Sequence, residues 1–303
     1  MNQPQPSDGD SRSGLIAGLI CYSLWGFLPL YFHLLGGMGV GVWEMIGERL
    51  VWAFPWALGL VLLSGQWPQV KAVARQPRTM SLLAASTLAI LTNWIIYVAA
   101  VASGHIIEAA LGYYINPLLN MAVGAIFFHE RMSLEGKIAI GLATLGVVVQ
   151  AVALGRLPLI SLGLAVSFCA YGVLRKQVKA DAQTGLFVEC AYLAPLGLGY
   201  VFWLQQAGQG HLFTSPAHAG MMMLAGPATV VPLALFSWAA RRLPLTAVGF
   251  LQFIAPTIGF IIGVAVGEPL TPMRILSFAF IWAGVAVFGY GAWRRTRLVA
   301  RAA

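Results

Sequence analysis

Apolar runs long enough to cross a membrane follow one another along almost the whole chain, and no other feature constrains its fold as much. A helix needs about 20 apolar residues to span about 30 Å of hydrocarbon. Ten stretches qualify, near 14 to 34, 42 to 64, 80 to 102, 107 to 129, 137 to 154, 159 to 175, 185 to 205, 219 to 240, 246 to 267 and 272 to 292. Charged residues are only 9% of the chain against 59% hydrophobic, whereas soluble domains carry about 25% charge. The expected fold is an all-α membrane protein of ten transmembrane helices, because backbone groups in lipid must be satisfied within their own segment. Most connections are short, which makes consecutive helices antiparallel neighbours; only 65 to 79 and 206 to 218 leave room for a surface excursion.

The chain also contains itself twice. Asn116-Pro117 falls near the middle of the fourth run, where proline removes one intrahelical hydrogen bond. Ile254 and Pro256 stand 139 places after Ile115 and Pro117, and Gly124 meets Gly263 at the same offset. Gly146-Val147 meets Gly284-Val285 after a slip of one residue, and Trp25-Gly26 matches Tyr171-Gly172, an aromatic followed by a glycine that lets helices pack closely. The repeat divides the chain into a polar start (1–13), a first five-helix repeat (14–154), a second (159–292) and a basic tail (293–303). Five is odd, so the second repeat crosses the membrane in the opposite sense to the first. Inverted repeats point to a transporter that alternates access around a midplane site, with Pro117 and Pro256 as paired hinges.

Orientation follows from the basic residues. Of the eighteen Lys and Arg, fifteen fall in the termini and loops of one side, Arg156 and Arg274 fall on the other, and Arg49 lies within a span. By the positive-inside rule both termini are cytoplasmic. The net charge of +8 forms no continuous stripe, so orientation explains it better than nucleic-acid binding. The start lacks a small-residue cleavage site and is read as leading into an uncleaved first span. Cys21, Cys169 and Cys190 sit inside apolar runs, and the five histidines form no H-x-x-x-H pair, so neither disulfide, metal nor cofactor is expected.

Ionisable groups inside spans are costly and tend to be functional. Glu44 and Glu48 share one face of the second helix, a like-charge spacing suited to carrying a proton, with Glu44 read as nearer the surface. Arg49 follows Glu48 about 100 degrees round the helix, so it must reach another helix or an anionic ligand. Glu189 faces a local ion pair with Arg175 or Lys176, or a proton-binding role. Glu108 complements a helix dipole, and Glu130 and Glu268 cap and pair locally. Asn93 and Asn116 near the midplane bond each other, a freed carbonyl, or a solute. Tyr22, Trp25, Trp94, Tyr97, Tyr113, Tyr114, Phe168 and Tyr171 fall at similar depth and would favour flat ligands if they line a cavity. No G-x-S-x-G elbow, H-E-x-x-H pair or Walker loop supports an enzyme. A channel or passive facilitator, or a membrane protein without transport, is the alternative.

Several stretches resemble the drug/metabolite transporter superfamily with two EamA domains, and its RarD branch in particular. They are Asn93-Trp94 with Tyr97, LGYYINPL at Leu111 to Leu118, His129-Glu130-Arg131, YGVLRK at Tyr171 to Lys176, Gly185-Leu186 with Glu189, and LQFIAPT at Leu251 to Thr257. The resemblance implies an inner-membrane permease that exports a small organic solute such as a metabolite, amino acid or amphenicol-like drug, coupled to a proton or ion gradient. Its central cavity would be lined by Tyr22, Trp25, Arg49, Asn93, Trp94, Tyr97, Tyr114, Asn116 and Tyr171, with Glu48 and Glu189 as proton-coupling candidates. The branch often carries histidine before the helix-2 arginine, where this chain has Glu48.

Overall fold

The computed structural model describes residues 8–127, 133–240, 242–243 and 245–302. Among them the chain folds into helices: α1 (Asp8–Gly37), α2 (Val42–Leu63), α3 (Trp67–Ala74), α4 (Pro77–Ala102), α5 (Ile106–Phe127), α6 (Leu134–Leu154), α7 (Leu159–Gln177), α8 (Ala182–Gln206), α9 (Pro216–Met223), α10 (Ala225–Ala240), α11 (Leu245–Leu251), α12 (Ile254–Ala265) and α13 (Pro272–Ala302). Nine helical stretches among the described residues are long and apolar enough to cross a membrane. Helix α5, of 22 residues, occupies the remaining expected run.

Local chemistry sets the ends. Ser133 caps α6 by accepting from the Gly136 amide, and Gly155 closes that helix at φ 61°, a conformation glycine adopts without strain. Prolines open α3, α4 and α9 in the first turn, where no N–H is needed. The two longer connections are not simple loops, since α3 fills one and α9 begins in the other. The expected run 246 to 267 is split into α11 and α12 by a turn at Gln252-Phe253, just before Pro256. By contrast α5 runs through Pro117 without interruption, so the two matched prolines do not produce matched breaks. The expected basic tail continues as helix to Ala302.

The main packing partners are α6 with α13, α2 with α8, α4 with α7, α1 with α10, α5 with α7, α1 with α12, α2 with α10, and α5 with α12. Register gives the directions. A Cβ on Gly47 would meet Val201 while one on Gly197 would meet Leu50, so α2 and α8 cross antiparallel. Gly146 lies against Ser277 and Gly284 against Ala139, which makes α6 and α13 antiparallel too. Along α1 and α12, Gly26 meets Ile258 and Gly259 meets Pro29, a parallel pair. The expected close packing at Trp25-Gly26 is therefore present, whereas a Cβ on Gly172 would meet nothing within 4 Å. Large apolar side chains such as Leu88, Ile126, Leu196 and Phe202 stand exposed around the outside, a surface that suits lipid and not water.

Candidate functional site

Helix α2 places three ionisable residues inside the bundle, and all three are buried: Glu44, Glu48 and Arg49. Arg49 is 5% exposed, and among the described residues it has no ion pair; its Nε has no hydrogen-bond partner. Its guanidinium lies 4.2 Å from the centre of the Trp94 ring and 5.8 Å from that of Phe32. Phenols of Tyr31, Tyr97 and Tyr113 and the Cys190 thiol stand around it. Taking an ion out of water costs several kcal/mol, while a cation–π contact returns about 0.5–2 kcal/mol. The rings recover only part of that cost, and arginine does not escape it by losing its proton.

Glu48 points elsewhere. Its Oε2 accepts from the Trp52 indole at 2.8 Å, one turn on, and its Oε1 is buried without a partner. Glu44 is buried at 3% exposure, not superficial as its place near the helix start suggests. The connection after α8 covers it: Oε1 accepts from the His211 amide at 2.6 Å, and Oε2 lies 2.7 Å from His211 Nδ1. The His218 ring stacks on His211 at 6.0 Å and reaches the Met38 carbonyl.

From Arg49 a ladder of rings crosses the bundle. Phe32 meets Tyr97 edge-on at 6.1 Å, Tyr97 meets Tyr113 at 5.6 Å, Tyr113 meets Phe168 at 6.1 Å, and Phe168 meets Tyr171 at 5.9 Å. Asn93 anchors it: its amide donates to the Leu164 carbonyl and to Ser167 Oγ, both at 3.0 Å, and its Oδ1 accepts from the Tyr113 hydroxyl at 3.0 Å. Asn93 is thus well satisfied within the protein and holds α4, α5 and α7 in register. Asn116 is the opposite case, 1% exposed with neither amide atom hydrogen-bonded. The two asparagines do not bond each other.

At the far end of the ladder sits Glu189 on α8. Its Oε1 accepts from Ser86 at 2.6 Å and lies 3.7 Å from Arg175 Nη1, and its Oε2 accepts from Tyr171 at 3.3 Å. The anticipated Arg175 pair is present. Ser86 and Ser167 complete the assembly and are absent from the sequence-derived candidates, whereas Phe168 and Tyr113 stand among the aromatics expected at that depth. Hydroxyls at positions facing other helices were the available signal.

Other sequence candidates lie apart. Tyr114 faces away from Tyr113: its hydroxyl bonds Thr257 Oγ1 at 2.6 Å and its ring contacts Phe253, Phe278 and Trp282. Tyr22 and Trp25 form a cluster with Phe236, between α1 and α10. Glu268 does more than pair locally. Its carboxylate accepts from the amides of Ile106 and Ile107, capping the start of α5 from the second half of the chain, with Arg274 4.0 Å away. Burial pushes the Glu268 carboxyl above its ordinary range, against the opposing pull of those two amides. Glu108 is buried beside Arg156 at 3.6 Å, so it too has a partner beyond the helix dipole. Glu130 lies outside the described residues. An apolar groove of about 620 Å³ between α2 and α10, lined by Trp56, Leu60, Val231, Leu235 and Trp238, carries no charged group. The three cysteines are buried free thiols.

Comparison with known proteins matches the whole architecture. An uncharacterized transporter of Pseudomonas aeruginosa is 40% identical over 291 residues, covering 94% of this chain and 96% of that relative. The protein RarD of Escherichia coli is 38% identical over 280 residues, covering 92% and 94%. A solved crystal structure superposes with a TM-score of 0.61 at 18% identity, over 93% of this chain and 98% of that one, a likeness of fold. No protein-family model matches. A bundle of membrane-length helices around buried polar groups, and relatives named as transporters along nearly the full length, lead to one conclusion: the chain is a multi-pass bacterial membrane protein that belongs to the RarD family of transporters.

Proposed function

We propose that this protein is a secondary active transporter that moves a small organic solute by alternating access between two inverted five-helix halves. The observation that carries the reading is the packing pattern. Counting α9–α10 and α11–α12 as one span each and α5 as a span gives ten, and exchanging each span with the one five places on maps the main helix pairs onto one another. The pair α4 with α7 becomes α10 with α1, α5 with α7 becomes α12 with α1, and α2 with α8 and α6 with α13 map onto themselves. Self-mapped helices cross antiparallel, as halves related by an axis in the membrane plane must. This pattern supports the two-EamA-domain arrangement that the resemblance to the drug/metabolite transporter superfamily implies.

Arg49, Trp94 and Tyr97 form the solute site in this reading, with Asn93 positioning it and Asn116 and Tyr171 within the same polar seam. Glu48, whose Oε1 has no partner, is the foremost candidate to carry a coupling proton, and Glu189 is the second. Pro117 and the turn before Pro256 are the proposed flexible points. The bias of basic residues towards one set of loops supports a reading with both termini cytoplasmic, and the resemblance suggests the inner membrane. Export is the direction that the resemblance suggests.

The test is reconstitution into liposomes containing a pH-sensitive dye, with gradients of chloramphenicol and of aromatic and neutral amino acids. Solute-dependent proton movement in wild type, lost in Glu48→Gln, is the expected result. Labelled solute flux without proton movement would replace coupling by facilitation. No flux of any solute would remove the transport reading.

A further inference from the structure

We infer that the solute carries a carboxylate, and that Arg49 together with the rings around it is the site that reads it. The inference deepens the transport reading and rests on it. Three observations converge. Arg49 is buried and without an ion pair among the described residues, yet its Nε is inside the protein with no acceptor. A guanidinium in that condition offers a planar fork of donors that a carboxylate matches with two parallel hydrogen bonds. The neighbouring rings of Trp94 and Phe32 hold the cation from its apolar side and so fix the direction of the fork.

One buried cation without a partner calls for one anionic group. Two other arginines of the bundle are already paired with carboxylates: Arg175 lies 3.7 Å from Glu189 and Arg156 3.6 Å from Glu108. A single carboxylate suits this field better than a phosphate dianion. Asn116, one turn after Tyr113 on α5, supplies a buried amide whose donor and acceptor are both unused, fit for a neutral polar group of the same solute. The rings of Trp94, Tyr97 and Tyr113 gathered around Arg49 make the surroundings of the guanidinium aromatic, which favours a solute with a flat apolar body. The ligand class is therefore a monocarboxylate with a flat or apolar body and one further polar group.

The experiment measures binding to the purified full-length protein in detergent, using 3-phenylpropionate, indole-3-propionate and L-phenylalanine, each paired with its primary amide. Wild type, Arg49→Lys and Arg49→Gln are compared, and the melting temperature of each ligand-free protein is recorded. Acids binding at least tenfold tighter than their amides in wild type is the expected result, with the preference reduced in Arg49→Lys and abolished in Arg49→Gln. Ligand-free Arg49→Gln should melt no lower than wild type, because the change removes an unpaired buried charge; a purely structural arginine would give a marked fall. Equal binding of acid and amide, an acid preference that survives Arg49→Gln, or no acid binding in the series would each overturn the proposal. Counterflow in proteoliposomes separates the two readings: flux of neutral solutes that no acid inhibits leaves transport standing and removes the carboxylate, whereas absence of all flux removes transport itself.

Discussion

Gly146 and Gly284 perform the same task from opposite sides of one helix crossing. A Cβ on Gly146 would fall 2.9 Å from the Ser277 carbonyl, and one on Gly284 would fall 2.9 Å from the Ala139 carbonyl. The relation is reciprocal in register, since 139 and 277 differ by as much as 146 and 284. Ser277 also donates to the Gly146 carbonyl at 2.8 Å. Small residues at such crossings let two backbones approach, which is the main source of helix association in lipid.

Alanine at either glycine should therefore lower stability by about 1–3 kcal/mol, the usual range for overfilling a packed contact. Thermal unfolding of Gly146→Ala and Gly284→Ala in detergent would check it. Similar losses are expected from the two, and unchanged melting of either would show that the crossing relaxes freely.

Glu189 and Arg175 should be coupled. Glu189→Gln leaves Arg175 without its partner and weakens the acceptors for Ser86 and Tyr171. A double-mutant cycle with Arg175→Gln is expected to give an interaction of about 0.5–3 kcal/mol. Gly185→Ala should mimic part of the effect, because the guanidinium of Arg175 occupies the space its methyl would need. Additive single losses would count against the pair.

The connection over Glu44 should loosen when its histidine is removed. His211→Ala keeps the backbone donor but loses the ring contact with Glu44 and the stack on His218. Amide exchange across 208–214 should quicken by about tenfold, corresponding to roughly 1.4 kcal/mol of lost local stability. Exchange at the wild-type rate would show that the backbone contact alone holds the segment.

Stability should also depend on pH through Glu268. Burial holds its carboxyl above the ordinary 4.5, so the folded protein keeps a proton that the unfolded chain has released. That contribution is fully present below pH 4.5 and is lost as pH rises through the raised value. The melting temperature of wild type minus that of Glu268→Gln should fall as pH climbs through this window. A difference that grows with pH would mean that the two backbone amides outweigh burial.

Much of the architecture is legible in the sequence because lipid leaves so few options. The apolar runs fix the spans to within a few residues, and the matched Gly146 and Gly284 already carry the α6–α13 crossing. Arg49 could be seen to need something beyond its own helix, since its neighbour Glu48 points about 100 degrees away. Other features were hidden for physical reasons. Helix α5 is apolar on nearly every face, so its sequence cannot say whether Tyr113 or Tyr114 meets Asn93; one residue of rotation decides it. The burial of Glu44 depends on His211, 167 positions later, and no local pattern announces a covering segment that distant. Pro117 and Pro256 match in sequence yet differ in effect: α5 runs on through the first, while a turn at Gln252-Phe253 precedes the second.

The contact of Glu268 with the start of α5 has a consequence for how the two halves can part. One carboxyl group serves two amides, so parting the α12–α13 connection from the start of α5 takes both helix-end donors from their acceptor in the same movement. Partial separation gains little, since water cannot replace one bond without breaking the geometry of the other. In the alternating-access reading proposed above, the junction would work as a snap fastener, shut or open with little between, and would give the motion at that end a threshold.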